Sequence, residues 1–302
     1  MADPSAIPEL PPPKPDVSTS ARIIAVTNQK GGVGKTTTAI NLAAAWAMAG
    51  RRVLLVDIDP QANATSGLGL KGQTAPAGTI YEALTADRTD SESADRYVLP
   101  TTIDGLSLMA ANRHLAGAEL ELIALPERER RLAGLLADLR PHYDFILIDC
   151  PPSLGLLTLN ALVAAHSVLI PLHCEYFALE GLADLVATLR RIRGGLNPGL
   201  DIEGVLLTMN DDRTNLGQQV AGDVRAFFKD KVYNTVIPRN VRLAEAPSHG
   251  VPAVAYDARS RGAEAYLALA REVLDRNRST TMGSSRHGET PSTGEGPRRA
   301  DS

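Results

Sequence analysis

Short apolar runs recur along the chain, separated by longer amphipathic stretches: RIIAVTN (22–28), RVLLVDID (52–59), LSLMA (106–110), FILIDC (145–150), SVLIPL (167–172), IEGVLLTMN (202–210) and YNTVIP (233–238). Most are continuously apolar rather than alternating, which is how strands read when a parallel sheet buries both of their faces. The segments between them have helical length, as in TTTAINLAAAWAMAG, which stops at Gly50, a residue type that ends helices readily. The alternation predicts an α/β fold: a doubly wound, mostly parallel sheet with helices on both faces and one core. Ligands of such sheets bind beyond the carboxyl ends of the strands. No internal repeat is present.

The flanks break this pattern. Residues 1–20 are rich in Pro, Ser and Asp, and residues 279–302 in Ser, Thr, Gly and charge; neither can bury enough apolar surface to order itself. They read as a disordered leader and a disordered tail around a single domain, 21–278. PPPKP at 11–15 reads as solvated leader rather than as a polyproline ligand. With 302 residues, 44% of them hydrophobic, the chain can build a large core. Its 31 basic and 35 acidic residues leave a net charge of -4, so no overall field draws it to nucleic acid or to an anionic membrane. Any such binding requires a local patch. The two cysteines, Cys150 and Cys174, lack CxxC spacing, which argues against a disulfide framework, a cysteine-rich zinc site and an intrachain four-cysteine iron-sulfur site, and fits a reducing cytoplasm. No stretch approaches the roughly 20 apolar residues of a membrane span, and the N-terminus has neither a basic start nor an apolar run.

The first apolar run is followed by KGGVGKTTT (30–38) and then a helical stretch, the strand, glycine loop and helix context of phosphate binding. Gly31, Gly32 and Gly34 let successive backbone N–H groups turn toward phosphate oxygens, and the helix N-terminus adds its dipole. Lys35 would reach the β- and γ-phosphates and the Thr36 hydroxyl would ligate Mg2+. The strict pattern GxxxxGK[ST] fails, because its first position falls on Gln29. Instead the loop resembles the deviant Walker A loop of the ParA/MinD superfamily. The resemblance implies that ATP and Mg2+ are bound by Gly31, Gly32, Val33, Gly34, Lys35, Thr36 and Thr37. It also gives a purpose to the second lysine: Lys30 would cross the interface of an ATP-dependent homodimer and touch the partner's nucleotide. A cation delivered in trans neutralises charge that develops during phosphoryl transfer, as an arginine finger does.

Asp57 and Asp59, in LLVDIDPQANATSG, lie two apart at a strand end, so both side chains point the same way. They resemble the family's VDxDPQ element, which implies that Asp59 orients or activates the attacking water while Asp57 supports the magnesium shell or the loop. Asp149 closes the apolar FILID and reads as a Walker B carboxylate, presented beside Mg2+ through a water. Pro151 and Pro152 stiffen the loop that follows, which in the family responds to nucleotide.

Residues 208–273 resemble the C-terminal half of chromosomal ParA proteins, also called Soj, and the whole resemblance spans about 21–275. It implies that Asn210, Pro238 and Arg239 frame the adenine. Between 213 and 242 stand Arg213, Arg225, Lys229, Lys231, Arg239 and Arg242, against Asp223 and Asp230. Such a local surplus can neutralise DNA phosphates without reading bases, and the resemblance points to Arg213 and Arg242 as contacts with non-specific double-stranded DNA. His249 stands where the family often has tyrosine. The implied function is a slow ATP hydrolase acting as a switch for chromosome segregation, cytoplasmic and nucleoid-associated, whose dimer is released from DNA when a ParB-type centromere-binding protein stimulates hydrolysis. The leader has no room for the helix-turn-helix domain of repressing plasmid relatives. Two alternatives remain: a MinD-like membrane-associated positioning ATPase, against which stands a tail after Arg276 with no bulky apolar residue except Met282, and a metabolic P-loop ligase or kinase.

Overall fold

The computed structural model describes residues 20–86, 93–175, 178–210 and 215–284. Strands β1 (Arg22–Val26), β2 (Val53–Asp57), β3 (Leu99–Pro100), β4 (Leu106–Met109), β5 (Phe145–Asp149), β6 (Ser167–His173) and β7 (Asp201–Thr208) form one sheet in the order β3-β4-β2-β5-β1-β6-β7. Neighbours are parallel except the short β3, which pairs antiparallel with β4. The helices are α1 (Lys35–Met48), α2 (Asn63–Gly67), α3 (Ile80–Thr85), α4 (Leu115–Ile123), α5 (Arg131–Leu139), α6 (Leu156–Ala164), α7 (Ala178–Arg193), α8 (Asn215–Phe228), α9 (Val241–Glu245), α10 (Ala253–Tyr256) and α11 (Arg261–Ser284).

Successive strand residues go to opposite faces, and both faces are packed. On one side Ile23, Ala25, Leu54, Val56, Ile146 and Ile148 bury against helices that include α5 and α6. On the other Ile24, Val26, Leu55, Leu147, Leu169 and Leu206 bury against α1 and α11. Trp46 joins those two helices: its indole Nε1 donates to the Ala270 carbonyl at 3.1 Å, and its ring stacks on Phe145 with centroids 4.3 Å apart. Among the described residues no helix is long and apolar enough to cross a membrane.

Two expectations change. YNTVIP at 233–238 is no strand; only its Tyr233 and Ile237 amides donate to β7, to the Val205 and Leu207 carbonyls at 3.0 and 2.9 Å, with isolated bridges at its edges from Val205 to Val232 and from Asn210 to Pro238. The amides of Asn234 and Thr235 instead donate to the Glu272 carboxylate on α11, at 2.8 and 2.9 Å, and Pro238 has no N–H to offer a ladder. The second change is at the C-terminus, where α11 carries helical backbone through residues 279–284, since extending an existing helix adds one hydrogen bond for each residue fixed. The expected leader to residue 19, the tail beyond Ser284 and Arg213 lie outside the described residues.

Parallel register sets the site. Asp149 at the end of β5 stands level with Asp57 at the end of β2 and with Val26 at the end of β1. The glycine loop therefore leaves the sheet beside two carboxylates far apart in sequence.

Candidate active site

The loop rises from β1 and ends at Gly34, the residue that caps α1 with a left-handed φ of +85°; Gly32 has φ +73°. A side chain at either position would be strained. Around these turns the chain is held from neighbouring strands. The Asn28 side chain accepts from the Lys30 amide at 3.0 Å and donates to the Pro171 carbonyl at 2.8 Å, and the Thr208 hydroxyl donates to the Val33 carbonyl at 2.9 Å. Lys35 is 7% exposed, and its ammonium donates to the Lys30 carbonyl at 3.1 Å. Burial pulls the pKa of this ammonium down, while Asp149, Cys150 and Asp59 hold it up.

Asp57 and Asp149 are fully buried and Asp59 nearly so. One Asp57 oxygen accepts from the Asp59 amide at 3.1 Å; the other takes the Thr65 amide at 2.8 Å and the Thr65 hydroxyl at 2.7 Å. Thr65 in turn receives the Ala111 amide at 3.0 Å. Asp57 thus anchors the loop leading to α2. Burial raises its pKa to about 6 against these hydrogen bonds, with a small push from Asp59. Asp59 accepts from the Gln61 amide at 2.9 Å.

Asp149 differs: neither of its buried oxygens has a donor in full hydrogen-bond geometry, although the Thr36 hydroxyl stands close enough to favour its charged form. Burial drives its pKa well up and Asp57 adds to this, while the Thr36 hydroxyl and Lys35 pull the other way. A buried carboxylate with so little hydrogen bonding is costly unless a cation joins it. The residues therefore fit magnesium: Asp149 has free lone pairs and Thr36 supplies a hydroxyl beside it. Among the described residues no three His, Cys, Asp or Glu side chains form a ready-made cage, and magnesium held largely by phosphate and water needs none. The Cys150 thiol, whose pKa burial raises well above its ordinary value, stays protonated and is no nucleophile.

The second lysine stands apart from the first. Lys30 is partly exposed at the rim, and its ammonium pairs with Glu175 just after β6. Asn210 and Pro238 are brought together, the Asn210 amide donating to the Ile237 carbonyl at 3.1 Å, and Arg239 follows them on the surface. Arg242 is exposed on α9, where it pairs with Glu245 at 2.7 Å and Asp257 at 3.2 Å. His249 stacks on Tyr256 with ring centroids 4.8 Å apart. Sequence reasoning missed Asn28, Thr65, Thr208 and Glu175, whose partners are chosen by the fold; only Asn28, directly before the loop, stood where inspection could have found it.

A family model described as an AAA domain matches residues 21–202. The chain is 58% identical over 252 residues to the sporulation initiation inhibitor protein Soj of Bacillus subtilis, covering 83% of this chain and 98% of that one. It is 56% identical over 260 residues to the chromosome partitioning protein ParA of Myxococcus xanthus, covering 86% and 90%. Among solved structures, a cobyrinic acid a,c-diamide synthase from Mycobacterium smegmatis with bound ADP and magnesium superposes with a TM-score of 0.73 at 38% identity, covering 86% of this chain and 96% of that one. With relatives this similar over most of their length, and a glycine loop, two strand-end aspartates and a buried Asp149 arranged as above, the chain belongs to the ParA/Soj family of chromosome-partitioning ATPases.

Proposed function

We propose that the chain is a nucleotide switch that dimerises on ATP, binds DNA without reading sequence, and is discharged when a ParB-type centromere-binding protein stimulates hydrolysis. The observation that carries this reading is the division of labour between the two loop lysines: Lys35 buried beside Asp149 and Asp59, Lys30 at the rim. Amides of Gly31 to Thr37 receive the phosphates of ATP, and Lys35 exchanges the Lys30 carbonyl for phosphate oxygens. Thr36 and Asp149, with Asp57 supporting their shell, would hold magnesium, which would neutralise charge on the phosphate oxygens. Asp59 orients the attacking water, and Lys30 reaches the nucleotide of the second subunit. Asn210, Pro238 and Arg239 flank the adenine, and Arg213 and Arg242 contribute to a DNA surface on the dimer.

A switch must hold its charged state, so unstimulated hydrolysis is slow. The test is product analysis with MgATP, alone and with DNA and the partner. Only ADP and inorganic phosphate, released well below about 10 per second until the partner is added, is the expected result. Phosphate or an amide appearing on a small acceptor would move the chain toward the chemistry in the name of its mycobacterial structural relative, and rapid hydrolysis without partner would end the switch reading.

A further inference from the structure

Glu175 lies at the mouth of the site and is held from several sides. One carboxylate oxygen pairs with the Lys30 ammonium, and the other is 2.7 Å from Nδ1 of His173. Its backbone is equally fixed: the amide donates to the His173 carbonyl at 2.9 Å, and its own carbonyl accepts from the Ala178 amide, at 2.9 Å, where α7 begins. The hydrogen bond from Lys30 keeps the Glu175 carboxyl below the ordinary glutamate range; burial opposes it, and the charges of His173, Lys30 and Arg239 add to it. Glu175 is therefore an ionised acceptor standing between strand β6 and the glycine loop.

Lys30 is bound to the same strand a second time. Its amide donates to Asn28, whose side chain donates to the Pro171 carbonyl in β6. Backbone and ammonium both lead back into the subunit that carries them. Its carbonyl meanwhile receives the Lys35 ammonium, so the arrangement of one lysine depends on the other. When phosphates draw Lys35 away, the Lys30 carbonyl loses its donor and the peptide is freer to turn.

We infer that Glu175 is a positioning residue that parks Lys30 on its own subunit, so that dimerisation on ATP must open an intrasubunit ion pair before Lys30 can reach across. The inference rests on the reading of Lys30 as a residue that acts in trans. It adds to that reading a built-in threshold: without nucleotide the ammonium is already satisfied at home, and only a partner carrying phosphate charge offers a better site. An exposed ion pair contributes little, so the threshold is modest, but a symmetric dimer opens two of them.

The experiment is the dimer affinity of the full chain with magnesium and a non-hydrolysable ATP analogue, measured by sedimentation for wild type, Glu175→Gln, Glu175→Asp, Lys30→Ala and the double variant Lys30→Ala with Glu175→Gln. Lys30→Ala weakens the dimer if Lys30 acts in trans. Glu175→Gln tightens it about three- to tenfold at low salt, two surface pairs being released, and the gain shrinks as salt rises. Glu175→Asp, which keeps the charge on a shorter arm, falls between wild type and Glu175→Gln. In the double variant the gain disappears, because no lysine remains to be freed. An unchanged or weaker dimer for Glu175→Gln, with Lys30→Ala impaired, would overturn the parking role and leave the trans lysine standing. A gain that persists without Lys30 would also overturn it, assigning the effect to local charge. A Lys30→Ala variant that dimerises like wild type would remove the trans reading itself.

Discussion

The glycine loop with its carboxylates and the basic segment at 213–242 are both polar regions, and they are organised in opposite ways. In the first, polar groups are buried, fixed by several hydrogen bonds and drawn from four strand ends: Thr208 of β7 holds the loop, Thr65 anchors Asp57, and Asp149 is left with open valence. In the second, described charges lie on the surface, and two of them already have partners. Lys231 donates to Asp201 at 2.8 Å and to the Ile202 carbonyl at 2.7 Å, and Arg242 is shared between Glu245 and Asp257. Burial forces one chemistry on the first region, whereas exposure lets the second exchange partners at little cost. A DNA phosphate can compete for Arg242 on those terms; a substitution at Asp59 or Asp149 has no such latitude.

The contrast is probed most severely at Asp59. Asp59→Ala should keep ATP binding and lower phosphate release, with partner present, by about 100-fold or more, the scale of a lost acid-base or water-positioning group; hydrolysis near the wild-type rate would show that another group orients the water. Asp149→Asn keeps the shape of the side chain but removes the charge offered to magnesium, so the rise in melting temperature given by MgATP should be lost. A variant that still gains stability from MgATP would contradict the magnesium role.

The elements behind the two regions touch where Gly69, in the loop after α2, packs backbone to backbone on Gly250, a few residues beyond α9 and its Arg242. A Cβ on Gly250 would sit 2.7 Å from the Gly69 Cα, and Gly250 has φ +68°. Gly250→Ala should cost about 1–3 kcal/mol, the usual range for a strained backbone position, read as a lower melting temperature. If stability is unchanged, the packing is looser than the geometry says and the two regions are mechanically independent.

The smallest effect concerns His166, remote from both. Its Nδ1 accepts the Ile23 amide at 2.8 Å, a bond made by the neutral ring, and burial first, then Arg140 and Arg22, push its pKa below the ordinary value. The folded chain therefore binds fewer protons here than the unfolded one. The contribution is complete above the ordinary histidine range near pH 6.5 and is lost as pH falls below it. His166→Gln should flatten the fall in melting temperature between about pH 7 and pH 5.5; an unaltered slope would assign that fall to other groups.

What could be read from the sequence follows the same division. FILID and VLLVD, buried on both faces at the centre of the sheet, are legible because a parallel strand must be continuously apolar. The two-residue β3, with Pro100 at its end, is too short to leave a pattern. YNTVIP looks like a strand, yet Glu272, 38 and 37 residues beyond Asn234 and Thr235, claims their two amides and interrupts a ladder to β7. In the site, Lys35, Thr36 and Asp149 announce themselves because phosphate and magnesium chemistry limits the residue types allowed beside a glycine loop. Their supports do not: Thr65 lies within a helix-like NATSG, and Glu175 lies 145 residues from Lys30, so only the folded chain pairs them. Lys231, counted among the basic surplus, turns out to tie the start of β7 to its neighbour.

Everything proposed for this acidic chain turns on its conversion by ATP into a DNA-binding dimer. The decisive measurement is binding to a random-sequence duplex with ATP, ADP or no nucleotide across a salt series, comparing wild type with Arg242→Ala and Lys231→Ala. Binding is expected only with ATP and should weaken as salt rises. Arg242→Ala should reduce affinity and lower the salt slope by about 1 for each phosphate no longer neutralised, with Lys231→Ala close to wild type. Binding that ignores nucleotide, or no binding in any state by a folded, nucleotide-loaded protein, would contradict the switch.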